Sequence, residues 1–183
     1  MGLDSGPVWL VAGLGNPGER YAKTRHNAGA RAVRRLAANL ELNLRPAKSK
    51  ALVAKSVVDG VQLVVACPLS FMNESGRPVA ALLKYFKVDS GNLIVVHDDI
   101  DLVTADLRVK FGGGSAGNHG VDSIVEMLGT KDFHRVRIGV GRPSSPRVDP
   151  ADYVLEPMSK KSLEELADVE ERAAEAVLEI VQQ

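Results

Sequence analysis

A single cysteine, Cys67, is present in the 183 residues, so no internal disulfide can form and a disulfide-stapled scaffold is excluded. It lies in the apolar run VQLVVACP and reads as a small buried residue rather than a reactive thiol. Net charge is also lacking: 23 Lys+Arg balance 23 Asp+Glu. That excludes a global basic field but leaves room for a local basic stripe. No apolar run approaches the length of a membrane span, and the first residues carry no charged segment leading into a long apolar one. A cytoplasmic protein with no membrane partner is expected. No serine or cysteine stands in a nucleophile motif such as G-x-S-x-G, and no His/Cys/Asp group has zinc-like spacing. Neither an internal repeat nor a domain linker interrupts residues 1–183, which read as one domain.

What is present alternates between strand and helix. Residues 8–12 form an apolar run expected as a buried strand, followed by a Gly/Asn/Pro loop. Over 28–40, Val33, Leu36, Ala37 and Leu40 share one helical face. Arg31, Arg34 and Arg35 fall elsewhere and read as solvated. Residues 45–50 look irregular. Two β-rich runs, 51–58 and 61–66, flank Asp59-Gly60, a strong hairpin signal. The turn-rich segment 68–77 opens a helix with Val79, Leu82, Leu83 and Phe86 as its stripe. Residues 93–96 predict a strand ending in the acid cluster His97-Asp98-Asp99, and 107–111 a strand with Arg108 and Lys110 on one face. A glycine-rich loop, 112–120, precedes a helix over 121–128 closed by Gly129. A strand over 133–140 carries Arg135 and Arg137. An amphipathic helix over about 162–181, with its acids outward, ends the chain. The alternation predicts an α/β single domain, a mixed twisted β-sheet surrounded by helices.

Two constellations invite chemistry. Gly13, Gly15 and Gly18 spell GxGxxG behind the first strand, the dinucleotide fingerprint. That fingerprint needs its last glycine to open a helix and an acid some twenty residues on to close a strand. Gly18 leads instead into the polar stretch 19–26, and Glu41 follows a helix. The second constellation is Thr24-Arg25-His26-Asn27. Asn27 suits an N-cap, so His26 would stand at a helix start, where the dipole disfavours imidazolium. An acid such as Asp98 could hold one ring nitrogen and leave the other to take a proton. A His–Asp pair without a nucleophile or metal points to attack by water.

Several blocks together resemble the bacterial peptidyl-tRNA hydrolases. GLGNPGERYAKTRHNAG (13–29), FMNESG (71–76), HDDIDL (97–102), KFGGG (110–114) and FHRVRIGVGRP (133–143) occur in that family's order and spacing, over nearly the whole chain. The resemblance implies hydrolysis of the ester between a peptide and the 3′ ribose of tRNA. It also implies peptidyl-tRNA as the RNA partner, a monomer, and no metal or organic cofactor. His26 is similar to the family's base and Asp98 to the acid that orients it. Asn16 resembles the asparagine that tells blocked from free aminoacyl-tRNA. Asn73, with Phe71 and Met72, resembles the substrate-holding block, with the Asn73 amide a donor to the oxyanion. Tyr21 resembles an aromatic that contacts tRNA. Arg108, Lys110 and Arg137 resemble a basic trio that clamps a phosphate. One departure stands out: where the family has His-Asn-Gly, this chain has Asn118-His119-Gly120. Asn118 is expected as the substrate contact, with His119 as the competing candidate. A non-catalytic RNA-binding relative is the rival reading, and retention of both His26 and Asp98 argues against it.

Overall fold

The computed structural model describes residues 6–183. The first five, which enter the reading of the N-terminus and of a domain over 1–183, lie outside the described residues. Strands β1 (Val8–Gly13), β2 (Arg45–Ala47), β3 (Ala51–Val58), β4 (Val61–Pro68), β5 (Leu93–Asp99), β6 (Leu107–Phe111) and β7 (His134–Gly139) form one sheet in the order β2-β3-β4-β1-β5-β7-β6. β1 runs parallel to both β4 and β5, and β5 parallel to β7; β3 and β6 are antiparallel to their neighbours. The sheet is therefore mixed, as the alternation of elements predicts.

Side chains alternate across it. Val11, Leu63, Val65, Ile94, Val96, Val136 and Ile138 pack on one face against α1 (Ala28–Asn39) and α5 (Lys160–Val181). Leu10, Ala12, Val64, Ala66, Leu93 and Val95 pack on the other against α2 (Gly76–Phe86) and α3 (His119–Leu128). This period-two division gives the central strands two buried faces. Asp59 (φ 49°) and Gly60 (φ 82°) both adopt the left-handed conformation of a type I′ turn, so the β3–β4 hairpin forms where the sequence marks it.

Three expectations need correction. Residues 45–50 are not irregular throughout: Arg45–Ala47 pairs with β3 as a short edge strand, a position that tolerates Pro46. α3 begins at His119 rather than Val121, because Asn118 caps it. The acids of α5 do not all face outward, since Glu170 is buried against α1 and pairs with Arg31 and Arg35. Those two arginines are therefore not a solvated face.

The order of connections fixes where chemistry can sit. From β1 the chain passes through α1 to the β2–β4 side, then returns through α2 to β5 on the opposite side of β1. The crevice above the carboxyl ends of β1 and β5 is thus the topological switch point, where open α/β sheets place ligands.

Candidate active site

His26 reaches that crevice because α1 docks unusually close to β5. A Cβ on Gly29 would lie 2.1 Å from the Val96 carbonyl oxygen, so only glycine permits this approach. Just before α1, residues Arg25–Asn27 form a single 3-10 turn. Asn27 makes no side-chain cap, contrary to the sequence expectation. Its Oδ1 accepts from the Asn16 N–H at 2.8 Å and its Nδ2 donates to the Asn16 carbonyl at 2.9 Å. The buried amide therefore pins the backbone of Asn16 beside the turn that carries His26. The glycine motif at 13–18 serves this close packing: Gly18 (φ 97°) turns the chain and opens no helix.

His26 Nδ1 lies 3.0 Å from Asp98 Oδ1 and 2.9 Å from Oδ2. A carboxylate only accepts, so Nδ1 carries the proton and Nε2 keeps its lone pair. Burial pulls the imidazole pKa down. The charge of Asp98 and its hydrogen bond push it up, and the net displacement is upward from the ordinary histidine value. The Asp98 carboxylate at 2.9 Å thus works against burial in setting the ionisation of this ring.

Asp98 is itself held. Asn118 Nδ2 donates to its Oδ1 at 3.1 Å and to its carbonyl at 3.2 Å, while Asn118 Oδ1 accepts from the N–H groups of Gly120 (3.0 Å) and Val121 (3.1 Å). Both ends of the amide are engaged inside the protein. The Asp98 carbonyl also accepts from Nδ1 of the buried His97 at 2.7 Å, and burial pushes the His97 pKa down.

A groove of about 280 Å³ runs beside this pair, lined by Ile100, Ala116 and Gly117 and by Pro150, Ala151, Val154 and Leu155. His26, Asp98, Asp99, Asn118 and the exposed His119 also line it. The Val154 carbonyl accepts from the His26 N–H at 2.9 Å, so α4 (Pro150–Tyr153) and the residue after it tie the wall to the histidine. The sequence carried no signal for that contact.

The other candidates form a second, adjoining group. Asn16 Oδ1 accepts from the Met72 N–H at 2.7 Å. Tyr21 and the exposed Phe71 meet edge to face with ring centres 6.4 Å apart. Asn73 is exposed, and its amide makes no hydrogen bond among the described residues. The Met72 side chain turns inward and packs beside Gly120 and Leu14, so it supports the core rather than facing solvent. Asn16 and Asn73 therefore do not line the groove with His26 and Asn118; they stand beside it.

The basic residues follow the sheet. Arg108 and Arg137 are direct cross-strand partners on β6 and β7. Arg137 Nε bonds Asp99 Oδ2 at 2.8 Å and Arg108 Nε bonds Asp106 Oδ2 at 3.2 Å. Lys110 lies over Gly113 and has no acidic partner among the described residues. Arg135, two residues before Arg137, is instead buried; it donates Nη1 to the Gly114 carbonyl and lies over the Phe133 ring. No three His, Cys, Asp or Glu side chains gather as a metal site among the described residues. No helix there is long and apolar enough to cross a membrane.

The chain is similar to known proteins in both sequence and fold. The model described as peptidyl-tRNA hydrolase matches residues 10–183. A protein of that name from Frankia casuarinae is 49% identical over 169 residues, covering 92% of this chain and 85% of the relative. One from Mycobacterium tuberculosis strain H37Rv is 47% identical over 175 residues, covering 95% and 91%. The crystal structure of peptidyl-tRNA hydrolase from Acinetobacter baumannii superposes with a TM-score of 0.88 at 31% identity, covering 96% of this chain and 89% of that one. A match in sequence that runs from β1 to the last helix, repeated in the solved fold, makes the chain a member of the peptidyl-tRNA hydrolase family.

Proposed function

We propose that this chain hydrolyses peptidyl-tRNA, releasing tRNA for reuse in translation, with water activated by the His26–Asp98 pair. The observation that carries this reading is His26 Nδ1 bonded to Asp98 at 2.9 Å, with Nε2 left as an acceptor beside an open groove. Nε2 takes a proton as water attacks the ester carbonyl. The tetrahedral oxyanion collapses, the 3′ oxygen of the terminal ribose leaves, and the imidazolium returns the proton to it. The peptide leaves as a carboxylic acid that gives its proton to bulk water, so the products are a peptide carboxylate and tRNA with a free 3′ hydroxyl. Every proton in this sequence is handled by water and His26, so the reaction as drawn calls on no metal and no organic cofactor. We also take the working form to be a cytoplasmic monomer.

The surrounding residues suit substrate roles. Asn73 has a free amide to donate to the oxyanion. Asn16 has its Oδ1 engaged by Met72 but its Nδ2 available, which suits a carbonyl present in blocked substrates. Tyr21 and Phe71 offer stacking faces for unpaired terminal bases. Lys110, with Arg108 and Arg137, suits a backbone phosphate further along the acceptor arm. The test is release of free tRNA from an N-blocked aminoacyl-tRNA by the purified protein, compared with the unblocked form. Absence of turnover on the blocked substrate would leave only the RNA-binding reading.

Two expected results refine these roles. Lys110→Ala should weaken tRNA binding and lower the slope of log Kd against log salt by about one, while minimal 3′-end substrates are turned over as before. Equal losses on both substrates would remove the phosphate role. The second concerns the exchanged pair. The Asn118 amide is fully engaged, so the direct contact passes to His119, which can donate one hydrogen bond and accept another. Asn118→Ala should lower kcat roughly tenfold through Asp98 and also lower Tm by loss of the α3 cap. His119→Ala should raise KM and leave Tm unchanged. A pure KM effect from Asn118→Ala would return the contact to Asn118.

A further inference from the structure

Arg31 occupies the first turn of α1 and does not line the groove, and the family blocks quoted above do not include it. Its Nε bonds Glu170 Oε1 of α5 at 2.8 Å. Its Nη1 donates to the carbonyls of Ala22 at 3.0 Å and Thr24 at 2.6 Å, four and two residues before His26. The intervening Lys23 carbonyl accepts from the Met158 N–H at 2.8 Å. Three successive carbonyls leading into His26 are thus gripped from two sides. Thr24 is fully buried and its hydroxyl closes back on the Tyr21 carbonyl at 2.8 Å. The segment belongs to no strand or α-helix, so beside its own turn bonds, such as Thr24 N–H to the Tyr21 carbonyl at 3.1 Å, and the bridge of Thr24 to Pro157, these contacts hold its path.

Glu170 is equally telling. Its side chain is 2% exposed, and an ionised carboxylate in such a place is costly unless paired. Arg31 meets it at 2.8 Å, while the half-exposed Arg35 approaches only to 3.5 Å. A planar guanidinium presents several donors in a rigid fork, so one face can hold the carboxylate while another spans two carbonyls. A lysine in the same place has a single point charge and cannot span all three. We infer that Arg31, braced by Glu170 of the C-terminal helix, is a positioning residue that sets the loop carrying Tyr21 and His26. The catalytic part of the claim rests on His26 acting as base.

The test separates placement of the loop from mere docking of α5. Arg31→Met and Arg35→Met each remove one cation from Glu170, but only the first frees the Ala22 and Thr24 carbonyls. Both variants are assayed well below their Tm on a minimal N-blocked aminoacyl substrate, and the His26 ring is followed by its Cε1–Hε1 NMR resonance. Arg31→Met should lower kcat roughly tenfold with KM little changed, and should shift or broaden the His26 signal. Arg35→Met should lower Tm but keep kcat within about twofold and leave the signal in place. Glu170→Gln should follow Arg31→Met. Should Arg31→Met fail to fold, Arg31→Lys keeps the ion pair and carries the same expectation. Equal kcat losses in the two variants, or an unmoved His26 signal with full activity in Arg31→Met, overturn the inference. A moved signal with unchanged kcat upholds the placement of the loop and removes His26 as the base.

Discussion

His26→Ala is expected to lower kcat on N-blocked aminoacyl-tRNA by roughly a hundredfold or more, with KM changed little. His97 is buried with its Nδ1 committed to the Asp98 carbonyl, and His119, also in the groove, has no carboxylate partner among the described residues, so His26 is the ring there whose acceptor nitrogen is oriented by a carboxylate. Its Nδ1 bond to Asp98 fixes both the tautomer and the direction of Nε2. On the proposed mechanism, removing the ring leaves water without a proton acceptor at the ester carbonyl, while the aromatic and basic residues that would hold RNA stay in place. The loss should therefore fall on the chemical step. Rates from single-turnover assays, with tRNA affinity measured separately, decide the matter. A variant within a few-fold of the parent removes His26 from the mechanism.

The residues that announce this chemistry are local in sequence, and that is why they can be read there. Val8–Gly13 and the Asp59-Gly60 hairpin follow from periodicity and turn chemistry alone. His26 and Asp98 stand in blocks whose order matches a family, and the fold then brings them to one switch point across 72 residues. What the sequence hides is the partner of each polar group. Asn118 looks like a free amide in a glycine loop; only the approach of α3 to β5 gives its Nδ2 to Asp98. Asn27 has the composition of a helix cap, yet Asn16 arrives eleven positions earlier and takes its amide. Arg31 and Glu170 are 139 residues apart, on faces that periodicity alone assigns to solvent. Met72 reads with Phe71 and Asn73 as part of a substrate-holding block, yet its side chain turns inward beside Leu14 and Gly120. In each case a tertiary contact overrides a sound local expectation.

Asp98→Asn tests the pair most sharply, because two effects act in directions that can be separated. The carboxylate accepts from His26 at both oxygens and from Asn118 at Oδ1. An amide offers one acceptor and one donor. With its oxygen kept towards Asn118, its NH₂ faces the His26 Nδ1–H, which favours the tautomer protonated at Nε2, the form that cannot accept from water. The imidazolium also loses its counter-charge. Maximal kcat should fall by at least roughly a hundredfold. The pH profile moves as well. In the parent, Asp98 lifts the His26 pKa against the pull of burial, so the acid limb of kcat/KM, which reports the free protein, is expected above the ordinary histidine value. In Asp98→Asn the lift disappears and burial remains, which carries the limb to lower pH. The ratio of variant to parent rate should consequently rise as pH falls through the parent's limb, because the parent's rate declines there before the variant's does. A profile that keeps the parent's limb while losing amplitude would mean that another group sets the ionisation, and that Asp98 serves only to orient the ring.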